Sequence, residues 1–181
     1  MERVAVTVVL PARDAAGTIA DAVASIRAQT RGDFELLVID DGSRDDTVAK
    51  ALEAAGGDPR IRVIRRGRDG LVAALNAGIA QASAPLIARM DADDVSLPRR
   101  LECQVELADR RPGLAVIGCR VRALPEEALT DGMRHYLAWL DSVITPEQVD
   151  RDLYVESPFA HPSVLVRREV VRVITPGVLL D

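Results

Sequence analysis

Lysine is almost missing from this chain: Lys50 stands alone beside 22 arginines in 181 residues. Any mechanism that needs a lysine elsewhere is thereby excluded. Aromatic residues make up only 3%, and Cys103, Cys119, His135 and His161 are the whole stock of cysteine and histidine. None of the four lies within ligand spacing of another, which rules out a zinc finger, a Cys/His metal cage and a disulfide framework. Any metal must therefore rest on carboxylates, and both cysteines read as small buried hydrophobes. No apolar run reaches the roughly 18 residues that a membrane-spanning helix needs. Met1-Glu2-Arg3 leads into a strand-like segment without a cleavable signal pattern. The expected location is cytoplasmic, with peripheral attachment to the inner face of the membrane as the alternative. With 23 basic against 28 acidic residues the chain is net −5. It lacks the cationic excess of a phosphate-backbone binder, so nucleic acid is not an expected partner.

What is present is an alternation of two periodicities. Val4 to Leu10 is a β-branched apolar run of the kind that is buried on both faces of a sheet. Thr18 and Asp21 then form an N-terminal cap pattern, with Ile19, Ala22, Val23 and Ile26 at helical spacing. The same reading gives strands at Phe34–Ile39, Ile61–Ile64, Leu86–Met90 and Leu114–Cys119. Between them it predicts helices over Thr47–Ala55, closed by Gly56-Gly57, over Leu71–Ala82, and over Pro98–Arg110 with proline in the first turn. Beyond Val121 the rhythm loosens. A helix around Met133–Ile144, a capped start at Thr145-Pro146-Glu147-Gln148 and a short strand at Ser163–Val166 are the expected elements. Repeated βαβ units mean a three-layer αβα sandwich around a mostly parallel sheet, the Rossmann-like class.

In such a sheet ligands bind at the carboxyl ends of the strands. Here those ends are acidic: Asp40 and Asp41 close the second strand, and Asp91, Asp93 and Asp94 close the fourth. Like charges gathered on one rim raise one another's pKa and repel, so the five carboxylates imply a hard divalent cation, Mg²⁺ or Mn²⁺. Asp45 and Asp46, just ahead of Thr47, read instead as turn and cap residues. The turn after the first strand, Pro11-Ala12-Arg13-Asp14-Ala15-Ala16-Gly17, lacks the G-x-G-x-x-G of a dinucleotide site, and no G-x-x-x-x-G-K-[ST] phosphate loop occurs. Gly70 and Asn76-Ala77-Gly78 read as turn geometry and close helix packing. Tyr136 and Trp139 read as core residues on a helical face. Arg65, Arg66 and Arg68 form a cluster at the end of the third strand that is read first as solvated and second as reaching for phosphate.

The series Leu10-Pro11-Ala12-Arg13-Asp14, Val38-Ile39-Asp40-Asp41-Gly42-Ser43, Asn76-Ala77-Gly78 and Met90-Asp91-Ala92-Asp93-Asp94, followed by Pro98 and Arg100-Leu101, resembles family 2 nucleotide-sugar glycosyltransferases of the GT-A fold. A weaker echo runs through His161-Pro162-Ser163 to Arg167-Arg168. The resemblance implies transfer of a sugar from a nucleotide-diphosphate sugar, a UDP-sugar first, to an acceptor hydroxyl with inversion, with cell-envelope polysaccharide as the setting. It implies that Pro11, Ala12 and Arg13 line the nucleotide pocket, that Asp41 receives the base, and that Asp40 shapes the same turn. Asp91 would face the ribose or the metal, Asp93 would hold the metal that bridges the two phosphates, and Asp94 would add to that shell. His161 falls where relatives carry a polar acceptor-side group, a role weighed against that of a structural histidine. The acceptor, whether a saccharide, a lipid-linked sugar or a protein, is not specified, and a dimer is compatible with the pattern.

Inverting transfer needs a general base, which the family places in a Glu-Asp motif after a Gly-Gly-aromatic stretch. Val171 to Asp181 contains neither motif. Asp181 is a poor substitute at a frayed end, and nothing in the spacing of Glu156 supports it. The expected division is therefore a donor-binding half over 1–120 and a partial acceptor-side region over 121–181, within one structural domain. The alternative function is a donor-binding but catalytically impaired fragment. A haloacid-dehalogenase-type phosphatase matches Asp91-Ala92-Asp93-Asp94-Val95 but requires a downstream lysine, and nothing after Lys50 supplies one. A receiver domain fails for the same reason.

Overall fold

The computed structural model of the chain describes residues 4–173. Its elements are β1 (Val6–Ala12), α1 (Ile19–Arg27), β2 (Phe34–Asp40), α2 (Thr47–Ala55), β3 (Ile61–Arg65), α3 (Leu71–Gln81), β4 (Leu86–Arg89), α4 (Arg100–Arg110), β5 (Val116–Ile117), α5 (Asp131–Ser142), α6 (Pro146–Asp152), β6 (Leu165–Arg167) and α7 (Arg168–Val173), with short 3-10 turns at Glu126–Ala128 and His161–Ser163. The strands form one sheet in the order β3-β2-β1-β4-β6-β5. β1 pairs in parallel with β2 and β4, and β2 with β3, whereas β6 runs antiparallel to both β4 and β5. The expected Rossmann-like sandwich with a mostly parallel sheet is therefore the observed one.

Strand alternation builds the layers. Val6, Val8, Leu10 and Ala12 of β1 and Phe34, Leu36 and Val38 of β2 face one apolar cluster with Ile19, Val23 and Ile26 of α1, Ala51 of α2, and Leu101 and Val105 of α4. Val9, Leu37 and Ile39 face the other side, where Ala74 of α3 meets them. Both faces of β1 are thus sealed, which is why its sequence runs apolar instead of alternating. On the α3 side the approach is close. A Cβ at Gly78 would lie 2.4 Å from Val9 Cγ1, so the absence of a side chain sets how near α3 sits. Gly56 ends α2 at φ 58°, the left-handed conformation expected of a C-cap glycine.

Several sequence expectations shift. The β1 run slides by two residues, to Val6–Ala12. Thr18 precedes α1, but its side chain makes no capping bond there. Pro98 lies in the turn before α4 instead of inside its first turn, because Arg99 is the cap residue. The fifth strand shrinks from Leu114–Cys119 to Val116–Ile117, since its partner β6 offers only three residues. Cys103 is exposed rather than buried, on the outer face of α4, while Cys119 is half-buried. α6 carries the predicted capping box: Thr145 accepts from Gln148 N–H, and the Gln148 side chain reaches back to Thr145 N–H. No described helix is long and apolar enough to cross a membrane.

Candidate functional site

Two shallow clefts open beside the carboxyl end of β4, and Asp91 belongs to the walls of both. The larger, about 380 Å³, is lined by Pro11, Arg13, Asp14, Ala15 and Thr18 from the end of β1 and the start of α1, by Leu71 of α3, and by Asp91-Ala92-Asp93. Of the residues predicted to bind nucleotide, Pro11, Arg13 and Asp91 line this cleft. Ala12, Asp40 and Asp41 do not; all three are buried, at 2–3% exposure. Asp14, Ala15, Thr18 and Leu71 escaped the sequence reading as lining residues. A signal for Asp14 exists only in the backbone, where it holds φ 47°, unusual for a residue with a side chain.

The buried aspartates hold the rim from behind. Asp40 Oδ1 accepts from Ser43 N–H at 3.2 Å, across the turn that follows β2. The Asp41 carboxylate accepts from the backbone N–H groups of Asp69 at 2.8 Å and Gly70 at 3.1 Å, and from Arg13 at 3.5 Å. It thereby fastens the loop that leads into α3 against β2. Much of its acceptor capacity is thus committed to the protein. Asp14 ties three loops together: it accepts from Arg44 N–H at 2.8 Å, donates its own N–H to Ser43 Oγ at 3.0 Å, and lies 3.6 Å from Arg68. Arg66 pairs with Asp69 at 3.2 Å. Two arginines of the 65–68 cluster are thus ion-paired on the surface, nearer to the solvated reading. Asp45 behaves as the turn residue anticipated, accepting from Thr47 N–H and from Ala16 N–H at 3.0 Å each.

The five rim carboxylates are therefore two groups with different fates. Only the β4 group crowds itself. Burial, then the charges of Asp91 and Asp93, hold the Asp94 carboxyl above the usual carboxylate range, against the pull of Arg100. Asp93 is exposed, Asp91 and Asp94 are half-buried, and Asp94 does not line the cleft. All three offer only oxygen donors, and their mutual repulsion is what a hard cation relieves, so the set fits Mg²⁺ or Mn²⁺. Among the described residues no three His, Cys, Asp or Glu side chains form a ready-made cage. A cation here would complete its shell from water and ligand phosphate, as Mg²⁺ commonly does.

The second cleft, about 270 Å³, gathers Arg89 and Asp91 with Tyr136 of α5, Glu156, Ser157, Phe159, and the 3-10 turn bearing His161. That turn is anchored from the core: Gln104 Nε2 donates to Ile117 O and to Ser163 O, both at 2.9 Å, and Arg89 N–H donates to Val164 O at 3.0 Å. Phe159 packs where Gly118 has no side chain, since a Cβ there would lie 2.5 Å from its ring. His161 and Tyr136 do face one cavity with Asp91. The core role expected for Tyr136 and Trp139 needs correction: both are half-buried, their rings 5.8 Å apart, and Leu140 is the residue α5 buries. Residues 174–181, Asp181 among them, lie outside the described residues.

The profile described as Glycosyl transferase family 2 matches residues 7–175. The chain belongs to this family. Among its relatives, the succinoglycan biosynthesis protein ExoO of Rhizobium meliloti is 36% identical over 154 residues, covering 84% of this chain and 44% of ExoO. Among solved structures, the fold is shared with S. aureus TarS 1-349 in complex with UDP-GlcNAc (TM-score 0.73, 18% identity, 93% of this chain and 46% of that one). It is shared also with a mannosyltransferase of Pyrobaculum calidifontis in complex with GDP-Man and Mn²⁺ (TM-score 0.71, 20% identity, 96% and 47%). The family 2 chain thus has the GT-A fold and spans somewhat less than half the length of each of these three proteins.

Proposed function

We propose that this family 2 chain binds a nucleotide-diphosphate sugar in the larger cleft and forms the donor side of a metal-dependent, inverting glycosyltransferase. The observation that carries this reading is the convergence of Pro11 and Arg13 from β1 with Asp91 and Asp93 from β4 on one cavity at the carboxyl rim of the sheet. Pro11 and Arg13 flank the nucleoside, Asp91 accepts from ribose hydroxyls, and Asp93 with Asp94 holds Mn²⁺ or Mg²⁺ beside the diphosphate. A cation so placed would act as a Lewis acid on the charge that develops as the sugar leaves the diphosphate. In this reading residues 1–120 are the donor half and residues 121–181 part of the acceptor side, with Tyr136 and His161 beside the incoming hydroxyl. The relatedness to the succinoglycan biosynthesis protein ExoO supports a place in polysaccharide assembly.

Among the described residues Glu156 and Asp91 are the carboxylates that line the second cleft, and Glu156 is exposed, with its carboxylate accepting from Ser157 N–H at 2.9 Å. An exposed carboxylate is poorly held for proton abstraction. That favours, as the second reading, a chain that binds donor while transferring weakly. A thermal-shift screen of UDP-, GDP- and dTDP-sugars with and without Mn²⁺ tests the primary reading, because a ligand that binds only the folded state raises its midpoint by mass action. One nucleotide class is expected to shift the midpoint only when Mn²⁺ is present. No shift with any of them would overturn donor binding.

A further inference from the structure

Arg89, the last residue of β4, is ion-paired to the first aspartate of the acidic turn. Its Nε–H and Nη2–H donate to Asp91 Oδ1 at 3.2 and 3.1 Å, and Nη2–H also reaches Oδ2 at 3.3 Å. Both side chains are largely sheltered, at 21% and 30% exposure, so water screens the pair only partly. The backbone of Arg89 is braced on both sides. Its N–H donates to Val164 O, and its carbonyl accepts from Nη2 of the half-buried Arg100 at 2.8 Å. The braced backbone sets where the side chain starts, and the three charge-assisted bonds, two of them to Oδ1, hold the guanidinium and the Asp91 carboxylate to each other. Asp93 and Asp94, by contrast, have no ion-pair partner within 4.0 Å among the described residues, and Asp94 is pushed upward by burial and by its two acidic neighbours.

We propose that Arg89 is a positioning residue that serves as the resident counterion of Asp91, fixing that carboxylate on the wall between the two clefts and leaving Asp93 and Asp94 as the carboxylates for the cation. The proposal rests on the metal-diphosphate reading of the larger cleft. An aspartate that already shares its charge with a guanidinium is a weak ligand for Mn²⁺, yet its remaining lone pairs still accept from hydroxyl groups. Arg89 thus divides the labour within Asp91-Ala92-Asp93-Asp94. It also limits repulsion in the turn before donor and cation arrive.

The test compares the wild-type chain with Arg89→Ala, Asp91→Asn and the double variant Arg89→Ala/Asp91→Asn, by melting midpoint in EDTA and by titration with Mn²⁺ in the absence of nucleotide. Arg89→Ala is expected to lower the EDTA midpoint by about 3 °C or more, and either Mn²⁺ or the added Asp91→Asn is expected to restore it. Loss of the competing cation is expected to tighten Mn²⁺ binding about threefold or more. A deficit that persists in the double variant and in Mn²⁺ would mean that Arg89 matters only through packing of its stem, and would overturn the proposal. Should Arg89→Ala not fold, Arg89→Gln replaces it with the same expectations. If wild type ignores Mn²⁺ altogether, the metal reading fails, while the EDTA comparison of single and double variants still decides the part played by Arg89.

Discussion

The two clefts share Asp91 but are held in opposite ways. Around the larger one, β1 and α1 lead into the walls from the core: Val8, Leu10, Ile19 and Val23 are at 0% exposure. Around the smaller one, α5 buries Leu140 alone, and Leu124, Tyr154 and Val155 stand at 76%, 93% and 82% exposure. A rigid rim suits a ligand whose base, ribose and diphosphate must be registered against fixed carboxylates. The loosely packed side is built from loops and from a helix, α5, that gains little from burial, the usual property of a surface that adapts to its partner.

This contrast is sharpened first by Ile26→Ala. Removing a side chain at 0% exposure between α1 and the sheet should cost about 3 kcal/mol, measured by urea unfolding. Gly78→Ala comes next, at about 2 kcal/mol, because the new methyl would collide with Val9 and push α3 off the sheet. On the other side Tyr136→Ala should change stability by no more than about 0.5 kcal/mol. A large loss there would break the distinction between the two regions. Any transfer activity should fall more through the acceptor KM than through donor affinity.

Acid should act most gently, and from the end of the sheet remote from the site. Burial raises the pKa of Glu35, but bonds from Ser83 and Thr7, with the charge of Arg62, outweigh it and hold the carboxyl below its ordinary value of 4.5. A lowered folded pKa means that the group adds stability above the unfolded pKa. That contribution is lost as pH falls through the folded value. Urea midpoints measured downward from pH 5 should therefore decline, and Glu35→Gln should flatten the part of the slope that belongs to this group.

Much of the βαβ region up to β4 was legible in the sequence because buried parallel strands and amphipathic helices write their periodicity directly. Ile19, Ala22, Val23 and Ile26, read as one helical face, are all buried on α1, and α2 ends at the glycine pair. The capping box at Thr145 was equally plain, since it depends on four consecutive residues. What sequence does not carry is depth. Asp41 and Asp91 look alike as aspartates after strands, yet one is committed to the amides of Asp69 and Gly70 behind the wall, while the other faces both clefts. Nor does it carry long-range pairing with short elements. β6, three residues long, sits antiparallel between β4 and β5, and only that placement brings His161 and Phe159 beside Asp91. Tyr136 misled for the same reason: a helical stripe specifies a face but not whether another element covers it.

The central claim is that the exposed carboxylate of the β4 turn, joined to a divalent cation, holds the donor diphosphate. Calorimetric titration of UDP and GDP into wild type and Asp93→Ala, each with Mn²⁺ and with EDTA, tests it most directly. The account predicts that wild type binds one of the two only with Mn²⁺, and that Asp93→Ala weakens this about tenfold or more, a difference near 1.4 kcal/mol, with its melting midpoint in EDTA unchanged. Equal affinity in EDTA and Mn²⁺, or an Asp93→Ala variant that binds as wild type does, would contradict it.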